Sequence, residues 1–178
     1  MSTPTESQLR QAIVDTAKTQ VGKPYQWGGD SPKTGFDCSG LVSWAYSQHG
    51  LSVPHNSEEA FAGGKSVGYP GIADPVFFRG SCSGNESPPC HEAMYIGGGQ
   101  VIVAPHTGAN VQITDLAKIA AADTYMGART YIGAQTTGTN ISPTSLAGAG
   151  CALPTVYVLA MFALLPFDPG LAITMRVI

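Results

Sequence analysis

Apolar positions in the first fifty residues recur at helical spacing. Leu9, Ile13, Val14, Ala17 and Val21 share one helix face. The start signal reads as Thr3 for the cap, Pro4 in the first turn and Glu6 three residues on, with Gly22 as the stop. A Gly/Pro-rich loop covers residues 22–35. Asp37 then precedes Leu41, Val42, Trp44 and Ala45, which predicts a second helix from Cys38 that ends at Gly50. Pro54 to Ala62 predicts a short connecting helix or turn. Further on the period shortens, and Pro75–Phe78, Ala93–Ile96, Gln100–Ala104, Val111–Ile113 and Thr130–Ile132 read as strands. Gly97-Gly98-Gly99 supplies a hairpin turn between two of them. Helices first and a meander of antiparallel strands after is an α+β layout.

After Gly133 the pattern changes again, with no charged residue before Asp168. Residues 134–145 read as a linker rich in Thr, Ser, Gly and Asn, and residues 146–178 as an apolar tail. Leu146 to Leu165 has about the length of a bilayer span, interrupted by Gly148, Gly150 and Pro154. A membrane surface or a protein partner is the expected contact of this tail. The first residues lack a basic region and an apolar run, so no secretory signal peptide is read there. Delivery by another route, such as a phage or a secretion or conjugation apparatus, is the expectation.

Composition narrows the classes. Charged residues make up 12 % of the chain and the net charge is −3, which excludes the basic footprint of a nucleic-acid-binding protein. The four cysteines, at 38, 82, 90 and 151, show no CxxC pairing and no metal-ligand spacing, so neither a metal nor another cofactor is expected. Cys82 and Cys90 bracket a polar stretch, Ser-Gly-Asn-Glu-Ser-Pro-Pro; they either close it as a disulfide or remain two thiols of a surface loop. Cys38 differs from these. At a helix start the unpaired amides and the positive end of the helix dipole favour a thiolate, the nucleophilic form.

The surroundings of Cys38 sharpen that reading. The runs Gly22-Lys-Pro-Tyr-Gln-Trp-Gly-Gly29 and Phe36-Asp-Cys-Ser-Gly-Leu-Val42 come first. They are followed by Val53-Pro-His-Asn-Ser57, Ala73-Asp-Pro-Val-Phe-Phe78 and His91-Glu-Ala-Met-Tyr-Ile-Gly97. Val103-Ala-Pro-His-Thr-Gly108 and Gly127-Ala-Arg129 complete the series. In this order, over about residues 8 to 133, they resemble the NlpC/P60 family of cell-wall cysteine peptidases. The resemblance implies a papain-like core, N-terminal helices packed on a central antiparallel sheet, and activity on peptidoglycan stem peptides. The bond implied is the one between D-γ-glutamate and diaminopimelate or lysine, cleaved outside the cell or at the wall.

By resemblance, Cys38 is the nucleophile and His91 the general base, and Tyr25 joins the Cys38 amide in holding the oxyanion. Asp37, Ser39 and Trp27 are expected to contact substrate. Asp37 also suits a helix cap, and Trp27 and Trp44 also suit core positions. The family's third residue, which orients the base, falls on Val103, whose side chain neither donates nor accepts a hydrogen bond. His106 is the candidate substitute, with Gln100 and Gln112 behind it. His49 has no motif support, and His55 stands at a rim position. The alternative function is a peptidoglycan-binding module of the same fold whose catalysis decayed at Val103.

Overall fold

The computed structural model describes residues 3–82 and 87–133, all within a unit that spans residues 1–139. The linker, the apolar tail and Cys151 lie outside the described residues. Among the described residues no helix is long and apolar enough to cross a membrane.

The chain runs α1 (Glu6–Lys18), β1 (Asp30–Ser31), β2 (Gly35–Phe36), α2 (Cys38–Ser47), α3 (Ser57–Gly63) and β3 (Lys65–Val67). It continues with β4 (Pro75–Phe78), β5 (His91–Gly97), β6 (Gln100–Val103), β7 (Gln112–Asp115), α4 (Leu116–Ala122) and β8 (Tyr125–Thr130). The larger sheet has six antiparallel strands in the order β3-β8-β4-β5-β6-β7. The α+β expectation holds, with β4 at its expected bounds and β5 and β6 close to theirs.

Several boundaries differ for physical reasons. The cap of α1 is Thr5, not Thr3: Thr5 Oγ1 accepts from the Gln8 amide and the Gln8 side chain returns to the Thr5 amide. The helix stops at Lys18, so Val21 falls beyond it and is 47 % exposed. Gly22 instead donates its amide to the Val111 carbonyl at 2.8 Å, tying the loop to the approach of β7. The last strand is β8 at Tyr125–Thr130, not Thr130–Ile132. Tyr131 and Ile132 are apolar because they pack on the helices, where Tyr131 donates to the Ala60 carbonyl at 2.7 Å. The hairpin between β5 and β6 turns through Gly98 and Gly99, both with positive φ (61° and 76°), the geometry of a type I′ turn.

Alternation along the strands divides the core in two. Phe77, Met94 and Ile102 face the helices with Ile13, Leu41 and Tyr46. Val76, Phe78, Ala93 and Val103 face the other way, against Leu116 and Ile119 of α4. Each buried large side chain contributes roughly 1.5–3 kcal/mol. Helix α2 lies on the first face and contacts β5 and the small β1–β2 ribbon. Its first residue therefore stands beside the first residues of β5.

The approach at α2 leaves no room at Gly40. A Cβ there would collide with the Gly29 carbonyl and stand 2.9 Å from His55 Nε2. Gly40→Ala is expected to lower stability by about 2 kcal/mol or more, because backbone must shift. Thermal unfolding measures it, with Gly68→Ala as the comparison, since nothing lies within 4 Å of a Cβ there. Equal melting temperatures for the two variants would refute the close packing.

Candidate active site

The start of α2 is built around Asp37. Its Oδ1 accepts from the Gly40 amide at 2.7 Å and the Ser39 hydroxyl at 3.2 Å, and it lies 2.9 Å from His55 Nε2. Its Oδ2 accepts from the Gly28 amide at 2.8 Å. Asp37 is thus the helix cap, and it also anchors the loop that carries Tyr25 and Trp27. Ser39 is buried and turned to Asp37.

A cleft of about 600 Å³ opens over this helix start. Cys38 and His91 both line it, as do Tyr25, Trp27, Asp37, Ser39 and His106. The sequence-derived candidates are therefore brought together, except that Val103 is buried in the cluster beneath α4. Trp27 is 65 % exposed at the cleft, which overturns its reading as a core residue. Trp44 does join the core, its ring 5.4 Å from that of Phe36. His49 bonds to Thr16 Oγ1 at 2.8 Å. Gln100 and Gln112 are exposed on neighbouring strands.

Cys38 is enclosed by neighbouring atoms yet keeps part of its surface on the cleft. Its Sγ lies 3.9 Å from Ser57 Oγ. Burial, reinforced by the charges of Glu92 and Asp37, pushes its thiol from the ordinary 9.0 up to about 12, against the pull of the Glu92 backbone N–H and of Ser57. Burial therefore works against the thiolate that the helix start favours.

His91 opens β5, pairs with Phe78 across the strands and sets its ring 6.1 Å from the Phe78 ring. Burial holds its imidazole below the ordinary 6.5; Asp123 pulls the other way and His106 adds to the lowering. At neutral pH His91 is a neutral ring able to accept a proton. His106 is exposed, with Nδ1 3.0 Å from the Thr107 carbonyl. Its influence on His91 opposes protonation. Tyr25 is held protonated, pushed up to about 12 by burial first, with Cys38, once ionised, and Asp37 adding to it.

Two groups escaped sequence reasoning. Asp123 lines the cleft and accepts from the Gly80 amide at 2.8 Å. Glu92 is fully buried, and burial, reinforced by the Asp37 charge, raises its carboxyl to about 8 against the pull of the Ser57 hydroxyl. A charged residue directly before the apolar run Ala93-Met-Tyr-Ile96 was the available signal for Glu92. Beside the cleft, Cys82 and Cys90 are joined as a disulfide with Cα atoms 5.2 Å apart, settling the alternative left open above.

Residues 22–130 match the NlpC/P60 family. The chain is 40 % identical over 115 residues to the murein DD-endopeptidase MepH of Escherichia coli, covering 62 % of this chain and 41 % of that protein. It is 33 % identical over 108 residues to the bifunctional muramidase/DL-endopeptidase CwlT of Bacillus subtilis, covering 60 % and 32 %. Among solved structures, an NlpC/P60 family protein of Bacillus cereus superposes with a TM-score of 0.62 at 34 % identity, over 74 % of this chain and 41 % of that one. The chain thus spans less than half the length of these relatives.

The raised carboxyl of Glu92 has a stability consequence. Below about pH 4.5 it is protonated whether folded or unfolded, and between there and about pH 8 only the unfolded chain releases the proton. Stability contributed by this group is therefore lost as pH rises through that window. Glu92→Gln should gain on the parent protein by on the order of 4 kcal/mol between about pH 4 and pH 8, measured by urea unfolding. A difference that does not change with pH would contradict the buried carboxyl.

Proposed function

Because the chain belongs to the NlpC/P60 family, we propose that it is a cysteine endopeptidase acting on the stem peptides of peptidoglycan, at or outside the cell wall. One observation carries the reading. Cys38, at the capped start of α2, and His91, at the start of β5, line one cleft with Tyr25, and the Glu92 amide that follows His91 faces the Cys38 sulfur.

The chemistry begins from a neutral pair. His91 takes the thiol proton as Cys38 Sγ attacks the scissile carbonyl carbon. Negative charge gathers on the carbonyl oxygen, held by the Cys38 amide and the Tyr25 hydroxyl. The imidazolium returns the proton to the leaving amine, the C–N bond breaks and a thioester remains. Water, deprotonated by His91, then adds to the thioester, and the thiol departs with the proton. Tyr25 suits its part because it remains a hydroxyl donor. Trp27 offers an exposed ring to the substrate, and Asp37 and Ser39 set the floor of the cleft beside it.

The bond we assign is that between D-γ-glutamate and diaminopimelate or lysine, in keeping with the DL-endopeptidase similarity. The 40 % identity to a murein DD-endopeptidase favours a second reading, cleavage of the DD cross-link between stems. Purified protein incubated with peptidoglycan separates them. DL cleavage shortens the stems of monomers, whereas DD cleavage converts cross-linked dimers to intact monomers, and mass spectrometry of the fragments reads which occurs.

Cys38→Ala should abolish fragment release, and Tyr25→Phe should slow it by about tenfold to a hundredfold, the size of one lost oxyanion donor in part. Release undiminished by Cys38→Ala would remove the cysteine-peptidase assignment. Retained binding to peptidoglycan without release by the parent protein would leave the binding module in its place.

A further inference from the structure

With Val103 unable to orient or charge-stabilise the base, the groups that bear on His91 decide how its imidazolium is held. The strand order places them. Val103 lies on β6, to one side of β5. On the other side lies β4, and beyond it β8, whose approach carries Asp123. Asp123 is partly buried and lines the cleft together with His91.

Its carboxylate is fixed from two directions. Oδ2 accepts from the Gly80 amide at 2.8 Å and Oδ1 from the Thr124 amide at 2.7 Å. Gly80 is itself pressed against the base: a Cβ at this residue would stand 2.9 Å from His91 Cβ and 2.9 Å from its backbone nitrogen. The peptide that holds Asp123 is therefore the one that backs His91. Arg79 ties the same segments together, donating its amide to the Thr124 carbonyl at 2.8 Å and accepting from the Cys90 amide at 3.0 Å. The Cys82–Cys90 disulfide closes the loop that leads back to His91.

We propose that Asp123 is the positioning residue of His91: on the β4 side of the base it braces His91 through the Gly80 peptide, and its charge stabilises the imidazolium formed when Cys38 loses its proton. The proposal rests on the reading of Cys38 and His91 as nucleophile and base. Asp123 raises the proton affinity of His91 while His106, on the loop after β6, lowers it. The other titratable groups of the cleft are Cys38, Tyr25, Asp37, His55 and Glu58.

The test is the titration of the His91 ring, followed by NMR with labelled histidine in Cys38→Ala protein, so that hydrolysis plays no part. Asp123→Asn keeps an oxygen to accept from Gly80 but removes the charge. It should lower the His91 pKa by about half a unit or more, and Asp123→Glu should restore it. Asp115→Asn, at a surface ion pair with Lys118, should leave it in place. In the Cys38 protein, Asp123→Asn should cut kcat by about tenfold with little change in KM, because the charge acts only once His91 is protonated. An unmoved His91 titration in Asp123→Asn overturns the proposal and leaves the Cys38–His91 reading standing. Undiminished hydrolysis by Cys38→Ala alone overturns that reading instead.

Discussion

The structure of the site depends on a single buried carboxylate. Asp37 joins four groups from three segments: the Gly40 amide and Ser39 hydroxyl of α2, the Gly28 amide of the preceding loop, and the His55 ring before α3. Its own amide donates to the Gly29 carbonyl at 2.9 Å. A carboxylate with so little access to water is tolerated only when its lone pairs are occupied, and here they are. The geometry explains the glycines around it. Gly40 must lack a Cβ to approach Gly29 and His55, and Gly29 must lack one to lie against the Gly35 carbonyl. Cys38, the next residue, has its position fixed as a result.

That position sets two influences against each other. The helix start and the Glu92 amide favour a thiolate; enclosure and the nearby carboxyls favour the thiol. Enclosure raises the thiol's pKa, which gives His91 its task in the proposed chemistry. A cysteine ionised at rest would need a histidine only to protonate the leaving group. A buried thiol needs one to remove its proton first, and a neutral His91, held below its ordinary pKa by burial, is suited to that step. Glu92 makes the balance dependent on pH, since its carboxyl carries charge only above about pH 8 and then opposes the thiolate next to it.

Much of this was legible in the sequence, for identifiable reasons. Residues whose role is local were readable: the Asp37 cap, the glycine turn between β5 and β6, and the apolar run of β4 each obey rules that act within a few residues. Elements defined by tertiary pairing were not. β3 and β8 pair with each other across more than fifty residues of chain, and neither Lys65–Val67 nor Tyr125–Thr130 alternates strongly enough to announce it. Helix α4 has no buried residue of its own and so no apolar stripe of core width. The resemblance to NlpC/P60 motifs pointed to Cys38, His91 and Tyr25 as the reacting groups, with Val103 at the place of the family's third residue. Those motifs could not show Asp123, which stands just before β8 on the far side of β4 and accepts from the Gly80 amide beside His91.

Alkylation kinetics test whether His91 removes the proton from a buried Cys38 thiol. The rate at which iodoacetamide modifies Cys38, followed by intact mass against pH, should be at least tenfold faster at neutral pH in the parent protein than in His91→Ala. The two should converge at high alkalinity, where hydroxide ionises the thiol in both. Equal rates at neutral pH would contradict that proton transfer and leave Cys38 without its base.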